Sequence, residues 1–287
     1  MTSSFRMFGD PAPASPVVLS VPHAGRDYPP VLRLALRAPL ASLAALEDRH
    51  VDAIALAARG DETLLLQDRP RAWIDLNRAE HERDPLLDEG ACRLSTLSAK
   101  VRAGIGLVPR RTAAAGELWR CRLSAAEVEA RIAADHRPYH DALADVLAAA
   151  RARFGCAVLL DVHSMPPIAG GRARVVIGDR FGRAAAGRFV ARVEEALGRE
   201  GLHHSLNTPY AGGYILARHA APQNGIHAIQ LEIDRALYLD RRLDQPGAGA
   251  AATARMLRAV IDALATQALA EGATAPPLPP TLADAAE

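Results

Sequence analysis

An α/β fold in a single domain is what the sequence predicts, and three observations predict it. Short apolar runs with strand character alternate with helical segments from end to end. No internal repeat or linker divides the chain. The most apolar run, Ala157 to Leu160, is too short for a helix and too unbroken for a half-exposed strand, so it reads as a central strand covered on both faces.

That strand carries the argument about function. It runs on into Asp161-Val162-His163-Ser164 and is stopped by Pro166 and Pro167. In an open α/β sheet the ligand crevice lies beyond the carboxyl ends of the strands, where Asp161, His163 and Ser164 would project. Asp161 and His163 share a face, being two apart in an extended chain.

At 287 residues the chain can bury a sizeable core, and a formal net charge of +1 supplies no long-range field for nucleic acid or an anionic membrane. Cys92, Cys121 and Cys156 are odd in number and lack a C-x-x-C spacing, which suggests neither a disulfide framework nor a thiolate zinc site. The N-terminus has no signal-peptide pattern, and no segment approaches the roughly 20 apolar residues of a membrane span. A soluble, cytoplasmic protein is expected.

In chain order, residues 1–15 are expected to form a flexible N-terminal arm. The domain proper is expected over 16–270, with a disordered Ala-Thr-Pro-rich tail over 271–287. Pro16 to Gly25 is a second short strand ending in a histidine, His23, with Gly25 allowing the turn. The stretch from about 30 to 59 reads as helical. Within it Asp48 and Asp52 share a face; a helical charge run is ordinarily a solvated face, and Asp48 is the one acid singled out against that reading. Leu64 to Leu66 begins another strand, and Ala72 to Arg78 alternates apolar and polar residues. Residues 80–122 lack periodicity and read as an irregular excursion near the crevice mouth. Ser124-Ala125-Ala126-Glu127 is a capping box opening a helix that Pro138 should kink, with His136, Arg137, Tyr139 and His140 around the break. Strands follow at 174–178 and 214–216, with a helix between them from about 183 to 200. The run 226–233 alternates, putting Gln230 and Glu232 on one side, and a last helix spans about 248–270. Burial of Glu232 should raise its pKa.

Two strand-end histidines and an intervening acid make a three-ligand site with an open fourth position, the arrangement of catalytic zinc. Such a metal polarises a carbonyl and makes hydroxide available near neutral pH. Glu232 suits the proton shuttle to a leaving nitrogen, and Arg78 suits the holding of substrate or transition-state charge.

Five segments, Ser20 to Gly25, Asp48 to Asp52, Asp161 to Pro166, Asn207 to Gly213 and Gln230 to Ile233, together resemble the N-formylglutamate amidohydrolase family over roughly Val17 to Leu264. The resemblance implies a three-layer α/β/α fold with a central mixed, mostly parallel sheet, related to zinc carboxypeptidases and aspartoacylases. It also implies hydrolysis of N-formyl-L-glutamate to formate and glutamate, a late step in one route of histidine degradation. Asp75-Leu76-Asn77-Arg78 matches an element of the wider relatives whose Asn and Arg face substrate. Those relatives draw the second zinc ligand from a glutamate three residues after the first histidine; here Arg26 stands there, so the acid comes from elsewhere. Asp48 matches the family's acidic position, with Glu47 its near competitor. The resulting expectation is one zinc or other divalent ion on His23, Asp48 and His163, with Asp161 and Ser164 behind the ligands. Glu232 and Arg78 are the expected catalytic residues. Substrate is expected on Asn77, Arg78, Asn207, Tyr210, Gly212 and Gly213. A small acidic N-acyl amino acid is the expected partner. A related deacylase, a carboxypeptidase-like exopeptidase and a non-catalytic binder of an acidic metabolite are the alternatives.

Overall fold

The computed structural model describes residues 4–92 and 96–273. Its elements in order are β1 (Phe5–Phe8), β2 (Val17–Val21), α1 (Pro30–Ala35), α2 (Val51–Ala58), β3 (Thr63–Gln67), α3 (Ala99–Arg102), β4 (Arg111–Thr112), β5 (Gly116–Glu117), α4 (Ala125–Arg131), α5 (Arg137–Phe154), β6 (Ala157–Met165), β7 (Val175–Gly178), α6 (Gly187–Arg199), β8 (His204–Leu206), α7 (Tyr214–His219), β9 (Ile226–Asp234) and α8 (Ala250–Gly272).

Seven strands form the central sheet in the order β1-β3-β2-β6-β9-β7-β8. The four inner strands β3, β2, β6 and β9 are parallel, while β1 and β7 join antiparallel to β3 and β9. Every residue of β6 is buried. One core packs α2, α6 and α8 against Val158, Leu160, Val162 and Ile229; the other packs α4, α5 and α7 against Leu159 and Ala228. Burial on both faces is the physical reason for the unbroken apolar run in β6. Truncating one of these side chains, as in Leu160→Ala, should destabilise by about 2–5 kcal/mol.

Several local expectations need correction. Phe5–Phe8, assigned to a flexible arm, pairs with β3 as an edge strand. Glu271 and Gly272, assigned to the tail, belong to α8, and residues 274–287 lie outside the described residues. The stretch from 30 to 59 is not one helix: α1 ends before Pro39, which has no N–H to continue it, and a 3-10 segment, Leu40–Leu46, precedes α2. Tyr214, Ile215 and Leu216 open a helix, since three apolar residues cannot distinguish the two periods. The alternation at 72–78 does bury Ile74 and Leu76, but through turns whose backbone bonds go to Leu107 and to Asp75 itself. Within 80–122 the described residues form α3 and the small β4–β5 ribbon. The Ser124–Glu127 capping box is present, and the break near Pro138 is a π turn, Ile132–His136.

Candidate active site

The parallel strands β2, β6 and β9 bring their carboxyl ends to one crevice, where a ligand site is expected in this class of sheet. Ser20, Asp161 and Gln230 are in register across the three strands, and His163 and Glu232 form the next row. His23 follows β2 by two residues. The turn after it needs Gly25, because a Cβ there would lie 2.2 Å from the Arg69 carbonyl oxygen. Asp48 sits between the 3-10 segment and α2, and its N–H donates to the His23 carbonyl at 3.0 Å.

His23, Asp48 and His163 offer ligand atoms that all lie within 4.8 Å of one another. Asp48 Oδ2 is 3.0 Å from His163 Nδ1 and 3.7 Å from His23 Nδ1. The opposite ring nitrogens are held by two further carboxylates: His23 Nε2 at 2.7 Å from Asp75 and His163 Nε2 at 2.8 Å from Asp161. An ionised carboxylate only accepts, so each Nε2 carries a proton toward its acid, and the Nδ1 of each ring is the atom that faces Asp48. His23 Nδ1 is buried with no hydrogen-bond partner, which a cation between the rings and Asp48 would satisfy. Two imidazoles and a carboxylate, each ring backed by an acid, fit a divalent metal of the zinc type. Burial opposes a charge on His163, yet the Asp161 charge and the hydrogen bonds to Asp161 and Asp48 raise its pKa well above the ordinary value. Burial would raise the Asp48 pKa, but its histidine partners outweigh that and hold it low. The pocket thus draws positive charge strongly.

Glu232 is partly exposed on the crevice floor beside His163. Burial, offset in part by His163, pushes its pKa up to about 7. Its Oε1 accepts from Gln230 Nε2 at 2.9 Å, Gln230 Oε1 accepts from Asn77 Nδ2 at 3.2 Å, and Asn77 Oδ1 accepts from the Ile215 N–H at 2.9 Å. Asn77, expected to face substrate, is therefore committed at both ends to holding the carboxylate's neighbour. Gly213 belongs to the same packing, since a Cβ there would meet Asn77 Oδ1 at 2.2 Å.

Among the cations, Arg78 is buried, donating Nη1–H to the Asn77 carbonyl at 2.7 Å and Nε–H to that of Ile105 at 2.9 Å. Arg71 donates Nε–H to Asp75 at 2.8 Å. Burial opposes its charge, but the charge and hydrogen bond of Asp75 and the charges of Asp48 and Glu232 outweigh it and hold its pKa above the ordinary value. Arg235 reaches the Ser164 hydroxyl at 3.1 Å, the Glu47 carbonyl at 2.5 Å and Asp48 Oδ1 at 3.4 Å, and so fixes the far side of Asp48. Glu47 is engaged by Tyr28 and Arg49, while Arg26 pairs with Asp52; neither turns toward the histidines.

Of the remaining expected residues, Tyr210 is 38% exposed at the mouth, within the fields of Glu232, Arg235 and Asp48. Asn207 is placed otherwise. Its Oδ1 accepts the N–H groups of Asp179 and Phe181, and its Nδ2 donates to Asp179. With φ of 59° it pins the 179–181 turn through both ends of its amide. Gly212, at φ of 101°, carries the backbone between Tyr210 and Asn77's partner helix. Asp75, Arg71, Gln230 and Arg235 were not assigned roles from sequence. Asp75 lies in the Asp75–Arg78 motif and Gln230 on the same strand face as Glu232, whereas nothing in the sequence marks Arg71.

A family model described as N-formylglutamate amidohydrolase matches residues 15–239. An N-formylglutamate deformylase of Pseudomonas aeruginosa is 30% identical over 90% of this chain and 94% of its own length, and one of Pseudomonas putida is 28% identical over 78% and 82%. The crystal structure of an N-formylglutamate amidohydrolase from Ralstonia eutropha superposes with a TM-score of 0.82 at 31% identity, covering 96% of this chain and 99% of that one. The crevice with its paired histidines thus lies within the matched region, and the chain belongs to the N-formylglutamate amidohydrolase family.

Proposed function

We propose that this protein is a metal-dependent hydrolase that cleaves the amide C–N bond of N-formyl-L-glutamate, releasing formate and L-glutamate. The observation that carries the reading is the convergence of His23 Nδ1, His163 Nδ1 and Asp48 Oδ2, each imidazole backed by its own carboxylate, beside a glutamate whose pKa lies at about 7. The names of the relatives support the substrate.

His23, Asp48 and His163 would hold zinc, and a bound zinc supplies Lewis acidity and hydroxide near neutral pH. The chain's own groups do the rest. Asp75 and Asp161 keep Nε2 protonated so that both Nδ1 atoms stay available. Glu232, one oxygen anchored by Gln230, takes a proton from the attacking water and returns it to the departing nitrogen, for which a pKa near operating pH is suited. Arg71, with Arg78 behind Asp75, provides charge for the substrate carboxylates and the developing oxyanion. Tyr210, Gly212 and Gly213 line the entry. No described helix is long and apolar enough to cross a membrane, and a cytoplasmic site of action remains part of the proposal.

The test is formate release from N-formyl-L-glutamate, with and without chelation, beside N-acetyl-L-glutamate and N-acetyl-L-aspartate. Formate release abolished by chelation and restored by zinc is the expected result. Turnover of an acetyl substrate alone would make the protein a sister deacylase.

A further inference from the structure

The π turn before Pro138 and the first turn of α5 after it lie outside the crevice, yet they carry two of the most deeply buried histidines, His136 and His140. Arg137 N–H reaches back five residues to the Ile132 carbonyl, and Pro138 has no N–H to give to Ala134. The extra residue taken up by the π turn accommodates that gap. His136 and His140, 1% and 0% exposed, then meet the turn segment that contains Asp75 and Asn77. His136 Nε2 is 2.8 Å from the Arg78 carbonyl oxygen, and His140 Nε2 is 3.0 Å from that of Leu76. A carbonyl can only accept, so both Nε2 atoms carry protons. His140 Nδ1 is left as acceptor for His219 Nε2–H from α7 at 2.9 Å. The same helix supplies the Ile215 N–H that holds Asn77.

We infer that His136 and His140 are positioning residues that grip the Arg78 and Leu76 carbonyls, so that the intervening turn presents Asp75 to His23 and Asn77 to Gln230. Leu76 and Arg78 thus give their carbonyls to the histidine clamp, while Asp75 and Asn77, alternating with them, turn their side chains to the crevice. The segment has no strand partner, and its backbone is fixed instead by a few bonds: Asp75 N–H to the Leu107 carbonyl, Asn77 N–H to the Asp75 carboxylate, Arg78 N–H to the Asp75 carbonyl, and the two imidazoles. Loosening the clamp would displace at once the carboxylate behind one metal ligand and the amide chain behind Glu232.

This inference rests on the proposed hydrolase reading for its effect on rate, but its geometry is tested without activity. His136→Gln and His140→Gln place an N–H donor near the original Nε2. His136→Leu and His140→Leu fill the space without one. In zinc-loaded protein of verified metal content, the Leu variants should lose about 10–100-fold in kcat and the Gln variants should stay within a few-fold of wild type. Amide exchange in a peptide spanning 74–79 should be roughly three- to tenfold faster in the Leu variants, but not in the Gln variants. Equal impairment by Gln and Leu, unchanged kcat in folded Leu variants, or unaltered exchange would each overturn the clamp. Should the Leu variants fail to fold, His→Asn replaces them, its donor one bond too short: a Gln variant at least about tenfold faster than the Asn variant supports the inference. Equal rates for the two refute it. If the wild type released no formate, the functional reading would fall and the exchange comparison would still decide the clamp.

Discussion

Asp75→Asn is the substitution in which the geometry of this site is most exposed. Asp75 divides its oxygens: Oδ1 receives His23 Nε2–H and the Asn77 N–H, and Oδ2 receives Arg71 Nε–H. An asparagine keeps one acceptor and turns its NH2 on a donor, either Arg71 or His23. In the better orientation His23 and Asn77 keep their bonds, Arg71 loses its partner, and the imidazole faces a neutral amide in place of an anion. Changing a residue that backs a metal ligand typically weakens metal affinity by about 10–100-fold, or roughly 1.4–2.7 kcal/mol. The abandoned Arg71 contact adds about 1–3 kcal/mol of lost stability. At about 2–4 °C per kcal/mol for a chain of this size, Tm should fall by several degrees. Competition against a chromophoric zinc chelator measures the affinity, and circular dichroism follows the melt. Asp52→Asn serves as control, because Asp52 pairs with Arg26 away from the histidines, and its zinc affinity should match wild type. Folded Asp75→Asn with zinc affinity within about twofold of wild type would refute the argument.

Two further outcomes follow from the same structure. Glu232→Gln should retain metal and lose about 10²–10⁴-fold in kcat; because the base must be deprotonated, wild-type kcat/KM should rise with pH through an apparent pKa at or below about 7, and the residual activity of the variant should lack that limb. Asn207→Ala should lower Tm with KM nearly unchanged, since it removes the bonds to the 179–181 turn and with them the local side-chain hydrogen bonding that lets Asn hold a positive φ; a large KM increase at unchanged Tm would instead make Asn207 a substrate contact.

The inner strands and their chemistry were legible because local sequence reports them directly. Four apolar residues in succession before Asp161 require burial on both faces, and alternation from His227 to Ile233 places Glu232 without further information. The same parity shows that Gln230 accompanies Glu232. What sequence could not show is where non-repetitive backbone finds its hydrogen bonds. Ile74 and Leu76 are buried as the alternation demanded, but by turns pinned to Leu107 and to two histidines some 60 residues away, a contact with no local signature. Asn207 is ambiguous for a related reason: a polar residue in a turn can serve ligand or loop equally well, and its three bonds to the 179–181 region have no local signature. Arg71 stands in an arginine-rich chain, where residue type carries little information.

The register of β6 against β9 sets His163 directly across from Glu232, about 4.7–4.9 Å away strand to strand. The separation between the proposed metal ligand and the proposed proton carrier is therefore a property of the sheet, shared with no loop. It cannot be adjusted gradually: a slip of one residue would move Glu232 to the opposite face, among the side chains under α6 and α8. Descent within such a fold can reshape the mouth around Tyr210 and Gly212 by insertion or deletion and so change which acyl group enters, while the distance over which the proton travels stays constant.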